Sequence, residues 1–533
     1  MTVEERTQDD SRRRDLSTVA RGGALNLVGL VGGALFNAAL VIVVTHSLDG
    51  SSVGLFFEGV AFYNIVTSVT LWGADVGVVR QIPRLHVLER RTDVRRTVLL
   101  AVLTVLLAGL ACTVVVEVAA VPIARILVHR GSPERLATLL RVLAPFLPIA
   151  SAYAVAVAAT RGFGTMRVSA LVDRLGLSLA QPLFVLVAVL AGLGLTAVMA
   201  AWVAPTLVVA VVAAVWLERL IARSERRDDA TGTPSSARAL FAEFWRFAAP
   251  RGLAGVFAVA VLWLDTLLIG ALRSTHEAGI YAAATRYLVI GSFASLAIIQ
   301  VIGPKLSQLL SAGHPDRAED VYRAGTGWSM AVAWPVYWTM VVFAPVLLRV
   351  FGSGYTGAQD AVTILGLSML VGSGTGPVDV VLLMGGRSAW NLANTLVAVA
   401  ANVVLNLLLI PHLGMTGAAI AWGASILANN VLPLIEVWFL FRIHPFGSGV
   451  RIVALAAAVS FGLVPWIARL VLGPTVGAFA VGEAVGAALY VGILAVERDR
   501  VHLPLLWSSL RERHGLRGRD RDAAAASIEA PGS

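Results

Sequence analysis

The chain has 533 residues, 57% of them hydrophobic and 14% charged, with a formal net charge of +9 and a mean hydropathy of +0.79. Soluble domains carry about 25% charged residues, and this much apolar surface would leave a water-soluble fold covered in adhesive patches. A soluble globular class is therefore excluded, and a bilayer is the expected solvent.

Fourteen apolar runs follow in chain order: 24–46, 54–76, 97–121, 138–160, 175–195, 197–217, 252–271, 279–303, 326–350, 361–384, 389–411, 416–441, 450–472 and 475–496. Each approaches the length of about 20 residues that a spanning helix needs. They are apolar on all sides and lack the two-residue alternation of barrel strands. The predicted fold class is an all-α polytopic membrane protein with about fourteen transmembrane helices.

The basic residues orient these runs. With a cytoplasmic N-terminus, the first segment, the loops after even-numbered runs and the last segment hold 34 of the 42 Lys and Arg. The other side holds 7, with Arg125, Arg130, Arg135 and Arg141 grouped after the third run, and Arg286 falls inside a span. Such a bias is the positive-inside rule. It predicts a multi-pass inner (plasma) membrane protein with both termini cytoplasmic. It also assigns the basic excess to topology and anionic headgroups rather than to nucleic acid. The one cysteine, Cys112, lies within a span, so no intramolecular disulfide is available. No metal-type cysteine spacing exists, and nothing in the sequence asks for a metal or a cofactor.

The chain repeats itself. "LGLTAVMAAW" (193–202) and "LGMTGAAIAW" (413–422) share five of ten residues at an offset of 220. "VGLFFEGVAFY" (53–63) lies over "AGIYAAATRYL" (278–288) at an offset of 225, pairing Gly54 with Gly279. Arg167 in "GTMR" matches Arg387 in "MGGR". Each match falls at an equivalent place in a six-helix unit. Six is even, so the halves share one orientation and form a parallel repeat about an axis along the membrane normal. The expected domains are a cytoplasmic tail (1–20), an N-lobe of helices 1–6 (21–217), a cytoplasmic linker (218–243), a C-lobe of helices 7–12 (244–441), two further helices (442–497) and a cytoplasmic tail (498–533). The linker is charged, then rich in small polar residues, then amphipathic, and reads as ending in a surface helix. Pro145, Pro148, Pro205, Pro335, Pro433 and "VGSGTGPVD" interrupt several spans and are hinge candidates.

No enzyme constellation emerges: HExxH and GxSxG are absent, and the longest outer loop, roughly 122–138, is short. The reading is not an enzyme. Charges within spans cost about 2.5–3.5 kcal/mol each at mid-membrane and tend to face a cavity or a partner. The candidates are Glu58, Asp75, Arg80, Arg174, Arg251, Asp265, Arg286, Asp379 and Glu436. Arg251 lies near the start of the seventh run and Asp265 about four turns later, within about 40 degrees of one side. Arg286 lies on the next run. Arg251, Arg286, Asp265 and Glu58 are the candidate substrate-cavity residues, with a structural ion pair or snorkelling as the alternative for Arg251, Asp265 and Arg286. The eleventh run carries Asn391, Asn394, Asn402 and Asn406, the twelfth Asn429 and Asn430. Asn402 and Asn406 share a face. Either they glue helices together or they join Asp265 around a small coupling cation.

With its six-plus-six arrangement, two extra C-terminal helices and "DTLLIGALRSTHEAGIYAAATRY" (265–287), the chain resembles the polysaccharide flippases of the multidrug/oligosaccharidyl-lipid/polysaccharide exporter superfamily. The matching marks are Asp265, a short turn, then Gly279, Tyr281 and Ala284, together with the stretch "GLFFEGVAFYNIVTSVTLWGADVGVVRQIPR" (54–84). The resemblance spans roughly residues 18–500. It implies two six-helix lobes around a central cavity, alternating access, and export of an undecaprenyl-diphosphate-linked glycan, or of lipid II in a sister branch. A bare diphosphate cannot cross hydrocarbon, and arginine suits phosphate through its forked donors. The predicted function is a flippase for a polyprenyl-diphosphate-linked oligosaccharide in cell-surface polysaccharide biosynthesis. Its expected partners are that lipid-linked glycan, membrane lipids and a polysaccharide polymerase or glycosyltransferases, with no nucleic acid. A lipid II flippase, a cation-coupled multidrug exporter and a membrane glycan ligase or polymerase are the alternatives.

Overall fold

A computed structural model describes residues 29, 31–90, 92–128, 131–226 and 235–501. The tail expected at 1–20 and most of the tail expected at 498–533 lie outside these residues, as do residues 227–234 of the linker. The described residues are helical, with no strand among them. Twelve helices are long and apolar enough to cross a membrane: α2 (Gly50–Val87), α3 (Thr92–Leu127), α4 (Pro133–Gly162), α5 (Val168–Leu190), α6 (Leu195–Glu225), α7 (Ala237–Leu272), α9 (Pro315–Arg349), α10 (Ser353–Met384), α11 (Ser388–Leu413), α12 (Met415–Phe441), α13 (Ser448–Leu472) and α14 (Val476–Val496). The shorter apolar helix α1 (Val31–Ser47) and a continuous helix α8 (275–311) complete the order that the hydropathy runs predict.

One boundary differs from expectation. Hydropathy starts the seventh run at residue 252, after a separate surface helix, but α7 is one helix from Ala237. The amphipathic stretch is its beginning, capped by Ser236, whose hydroxyl accepts from the Ala239 amide at 3.3 Å. Pro250 lies inside α7. Proline removes one ladder bond, yet the helix on both sides is held by neighbours and continues. Arg251 therefore sits about four turns into α7 rather than at its end.

One membrane face, here the arginine-rich face, carries Arg84, Arg90, Arg95, Arg219, Arg246, Arg387 and Arg442. The cores differ between the two faces. Toward the opposite face a single cluster joins both halves of the chain, with Phe56 and Trp202 from the first and Tyr281, Tyr337 and Trp422 from the second. Toward the arginine-rich face the core divides. Ala74, Val98, Val157 and Ala213 pack with Phe244 and Ala248 from the start of α7, while Leu306, Tyr322, Val381 and Val437 form a separate cluster. The halves thus share one core at one face, while at the other the start of α7 packs with the first half and the rest of the second half forms a core of its own.

The repeat is visible in detail. Trp202 and Trp422 each occupy the eighth position of their helices, α6 and α12, and both are buried in the shared core. Asp49 and Ser274, again 225 apart, cap α2 and α8: Asp49 accepts from the Ser52 amide at 3.1 Å and Ser274 from the Glu277 amide at 3.2 Å. The Ser51 and Ser52 hydroxyls also donate to the Asp49 carboxylate, which lowers its pKa to about 2. Gly54 and Gly279 touch each other. A Cβ on Gly279 would lie 2.7 Å from the Gly54 amide nitrogen, and one on Gly54 would overlap the Thr275 carbonyl. Two repeat-equivalent residues can meet only beside the axis that relates them, so the pseudo-two-fold passes through this seam of α2 and α8. Only glycine allows so close a backbone approach.

The interruption predicted at "VGSGTGPVD" is a break in α10 between Gly374 and Val378, with Gly376 at a φ of +65°. The carbonyl freed at Thr375 accepts from the Tyr322 hydroxyl at 2.6 Å, so this backbone acceptor is not left bare in the membrane. α13 and α14 pack beside α9, where Phe461 and Tyr490 meet Trp334 and Trp338.

Candidate functional site

The strongest polar constellation inside the membrane gathers on α7, α8 and α11. Asp265 is 1% exposed, Tyr281 2%, and Asn402 and Asn406 0%. Tyr281 donates its hydroxyl to Asp265 Oδ2 at 3.0 Å. Asn406 Nδ2 donates to Oδ1 at 2.7 Å and Asn402 Nδ2 to the same oxygen at 3.4 Å. Asn402 and Asn406 are four apart on α11, which places both on one face. The amide oxygens of both asparagines are buried without a hydrogen-bond partner. A buried amide oxygen left bare is unusual.

Among the described residues, the first half of the chain has no such cluster. The positions equivalent by the repeat offsets are Leu40, Phe56, Pro182 and Leu186, all apolar. The repeat supplies the scaffold twice and the polar site once.

Arg286 lies about one and a half turns beyond Tyr281 on α8. Its Nε donates to the Ala282 carbonyl at 3.2 Å, and its Cζ stands 4.2 Å from the centroid of the Trp263 ring. No carboxylate pairs with it among the described residues. A cation–π contact with Trp is worth about 0.5–2 kcal/mol, and it holds the guanidinium in place without neutralising it.

Glu58 is placed differently from the expectation that it lines a cavity. It is fully buried in the seam of α2 against α7, where Gly270 makes room for it: a Cβ there would lie 2.7 Å from the Glu58 carboxyl carbon and 3.1 Å from the Leu127 carbonyl oxygen. Both carboxyl oxygens lack a partner.

Arg251 is not brought to Arg286. It is exposed and its Cζ lies 4.7 Å from the Phe247 ring centroid, while Arg286 sits on Trp263, sixteen positions further along α7, or about 24 Å of helix. Arg80 also stands over Phe247, 3.9 Å from the same centroid. Asp75 opens the resumed helix after the left-handed break at Trp72 and Gly73, where the helix dipole favours a carboxylate. On α5, Arg174 has a buried Nη1 without a partner; its neighbour Asp173 accepts from Tyr153 at 2.9 Å. Glu436 accepts from Asn394 at 2.6 Å, a link between α12 and α11. Asp379 lies in the first turn of the helix segment after the α10 break.

The family profile described as polysaccharide biosynthesis protein matches residues 19–310. The chain belongs to that family. It is 29% identical over 205 residues to the probable low-salt glycan biosynthesis flippase Agl15 of Haloferax volcanii, a match covering 37% of the chain and 41% of the relative. It is 26% identical over 175 residues to the probable flippase AglR of the same organism, covering 32% and 36%. The chain thus spans about two fifths of the length of the curated relatives it matches. Among solved structures, an inward-facing multidrug resistance MATE family transporter of the MOP superfamily superposes with a TM-score of 0.60 at 16% identity, over 79% of this chain and 95% of that one. A MOP superfamily transporter from Pyrococcus furiosus superposes with a TM-score of 0.53 at 16% identity, over 83% and 96%. The fold is that of these MOP superfamily transporters, and the chain is a multi-pass membrane protein.

Two residues of the site escape sequence reasoning. The sequence marks Tyr281 only as part of a motif, not as a donor to Asp265, and nothing in it singles out Trp263. A tyrosine in an apolar run carries no mark of its partner, and only the packing of α8 on α7 joins Tyr281 to Asp265.

Proposed function

We propose that the protein translocates a polyprenyl-diphosphate-linked oligosaccharide across the inner (plasma) membrane by alternating access, for cell-surface polysaccharide biosynthesis. The observation that carries this reading is Arg286: a guanidinium at membrane depth, fixed over Trp263, with no carboxylate to satisfy it among the described residues. An exporter of cationic drugs would want an acidic surface there, whereas a diphosphate wants a fixed fork of donors. The family and the relatives named as flippases support the same direction.

In this reading the shared core at one face is the closed gate, and the division at the other face, between the first half with the start of α7 and the rest of the second half, marks the side from which substrate enters. The basic-residue bias makes that the cytoplasmic side, with both termini cytoplasmic. Arg251 and Arg80, paired on Phe247, meet the diphosphate near the entrance, and Arg286 meets it deeper. Asp265, Asn402 and Asn406 would hold a small monovalent cation through oxygen, and that ion would supply a local positive charge coupled to the state of α7. Glu58 serves the closed seam rather than the substrate.

The test is outer-surface glycan in a strain deleted for the gene and carrying each variant, normalised to membrane protein level. Arg286→Ala and Arg251→Ala should insert normally and export about tenfold less, the loss of one charge-assisted hydrogen bond of about 1.5 kcal/mol. Arg286→Lys should recover only part, because charge returns without the fork. Full export by the Arg251→Ala, Arg286→Ala double variant would defeat the anionic-substrate reading and favour the multidrug one.

A further inference from the structure

Away from Asp265 and Arg286, the arginine-rich face holds a second built feature. The turn between α2 and α3 meets the first turns of α7 around a pocket of about 360 Å³ lined by Arg84, Arg90, Ala239, Ala242, Glu243 and Arg246. That volume lies within the range of small-ligand sites. Glu243 is the one carboxylate in its lining. Gln81 Nε2 donates to Glu243 Oε1 at 2.9 Å, Arg84 Nη1 to the same oxygen at 2.7 Å, and Arg90 Nη1 to Oε2 at 3.3 Å. Arg90 is otherwise engaged: its Nε donates to Asp93 at 3.0 Å and its Nη2 to the Ser235 hydroxyl at 2.8 Å.

The charges do not balance. Three guanidiniums line the pocket against one glutamate, and Asp93, buried behind them, is already held by Arg90 and by the amide and hydroxyl of Ser235. Arg84 uses one donor on Glu243. Arg246 is exposed and engages no partner among the described residues. A guanidinium presents its N–H groups as a planar fork and accepts nothing itself, so most donors of Arg84 and Arg246 face the pocket with nothing to receive them. Its depth is marked by Phe241, 44% exposed, whose ring lies 6.1 Å from that of Trp245. Tryptophan is enriched at the headgroup level of a bilayer. The free fork of Arg246 beside the spare donors of Arg84 at headgroup depth is complementary to phosphate oxygens, which accept two parallel N–H bonds from one arginine.

We propose that this pocket binds a phosphate group between Arg84 and Arg246, either the phosphate of an anionic lipid headgroup or free pyrophosphate. Glu243 and Ser235 belong to α7 and its approach, while Gln81, Arg84, Arg90 and Asp93 belong to α2, α3 and the turn between them. An anion seated here neutralises the excess charge on the link between the two halves and holds that link closed.

The experiment uses the purified full-length protein in lipid nanodiscs and reads the thermal unfolding midpoint. One arm titrates phosphatidylglycerol into phosphatidylcholine discs; the other adds inorganic pyrophosphate to discs of phosphatidylcholine alone. Arg246→Gln removes a fork without breaking a contact within the described fold, so the variant folds. Arg219→Gln, exposed on α6 at the same face, is the control for diffuse surface charge. The wild type and Arg219→Gln should be stabilised with the same half-saturating concentration, and Arg246→Gln should need about tenfold more ligand, the loss of about 1.4 kcal/mol. A response to the lipid alone assigns the site to a headgroup, and a response to pyrophosphate alone assigns it to a free phosphate. No stabilisation in either arm, or an equal response in Arg246→Gln and the wild type, overturns the proposal.

Discussion

Replacing Asp265 tests the polar cluster at its centre. The carboxylate accepts from three buried donors, Tyr281, Asn402 and Asn406. Asp265→Leu would strand all three, and at about 1–3 kcal/mol for each unsatisfied buried donor the loss reaches about 3–9 kcal/mol. That is comparable with the whole stability of an ordinary domain, about 5–15 kcal/mol, so this variant should fail to accumulate. Asp265→Asn is the informative change. Its amide oxygen can still accept two of the donors, and its own NH2 group must face the third, a loss of about 1–3 kcal/mol. It also removes the formal negative charge of the proposed cation site. The assay is thermal unfolding of purified protein in sodium chloride and in choline chloride at equal ionic strength, which holds screening constant. A cation that binds only the folded state adds about 2.7 kcal/mol at a hundred times its dissociation constant. The wild-type midpoint should rise in sodium, and the Asp265→Asn midpoint should be lower and the same in both salts. An equal sodium-dependent rise in the variant, or none in the wild type, would refute the assignment of Asp265 to a cation.

The seam on the pseudo-axis gives a second prediction: Gly279→Ala places a Cβ 2.7 Å from the Gly54 amide, and overpacking of about 1–3 kcal/mol should part α2 from α8. Spin labels on the two helix starts should report a longer distance in the variant, and an unchanged distance would show that the seam yields elsewhere. Topology gives a third. In a Cys112→Ala background, cysteines at Ser388 and Ser527 should resist an impermeant thiol reagent in intact cells, while one at Ser132 should react; labelling of the first two would reverse the orientation.

Much of the architecture is legible in the sequence. Hydropathy is a local property, and a helix must satisfy its own backbone in lipid, so the number and order of the helices follow from the apolar runs. The paired decapeptides and the Gly54–Gly279 match reveal the repeat, because two halves built on one packing plan keep the same small residues where they meet. Asp265, Asn402 and Asn406 stand out by type, since polar groups in spans are costly enough to mark themselves. What the sequence could not decide is which way each side chain faces. A helix that is apolar on every side carries no amphipathic stripe to show its buried face. Neither the burial of Glu58 under Gly270, nor the stacking of Arg286 on Trp263, nor the union of Tyr281 with Asp265 is therefore legible in it. The start of α7 misleads for a related reason: residues 237–251 are amphipathic because one side packs on Gly73 and Gly77 of α2 and the other meets the headgroup region. That difference separates Arg251 from Arg286 by most of the thickness of the hydrocarbon core, and only the tertiary packing of α7 on α2 decided it.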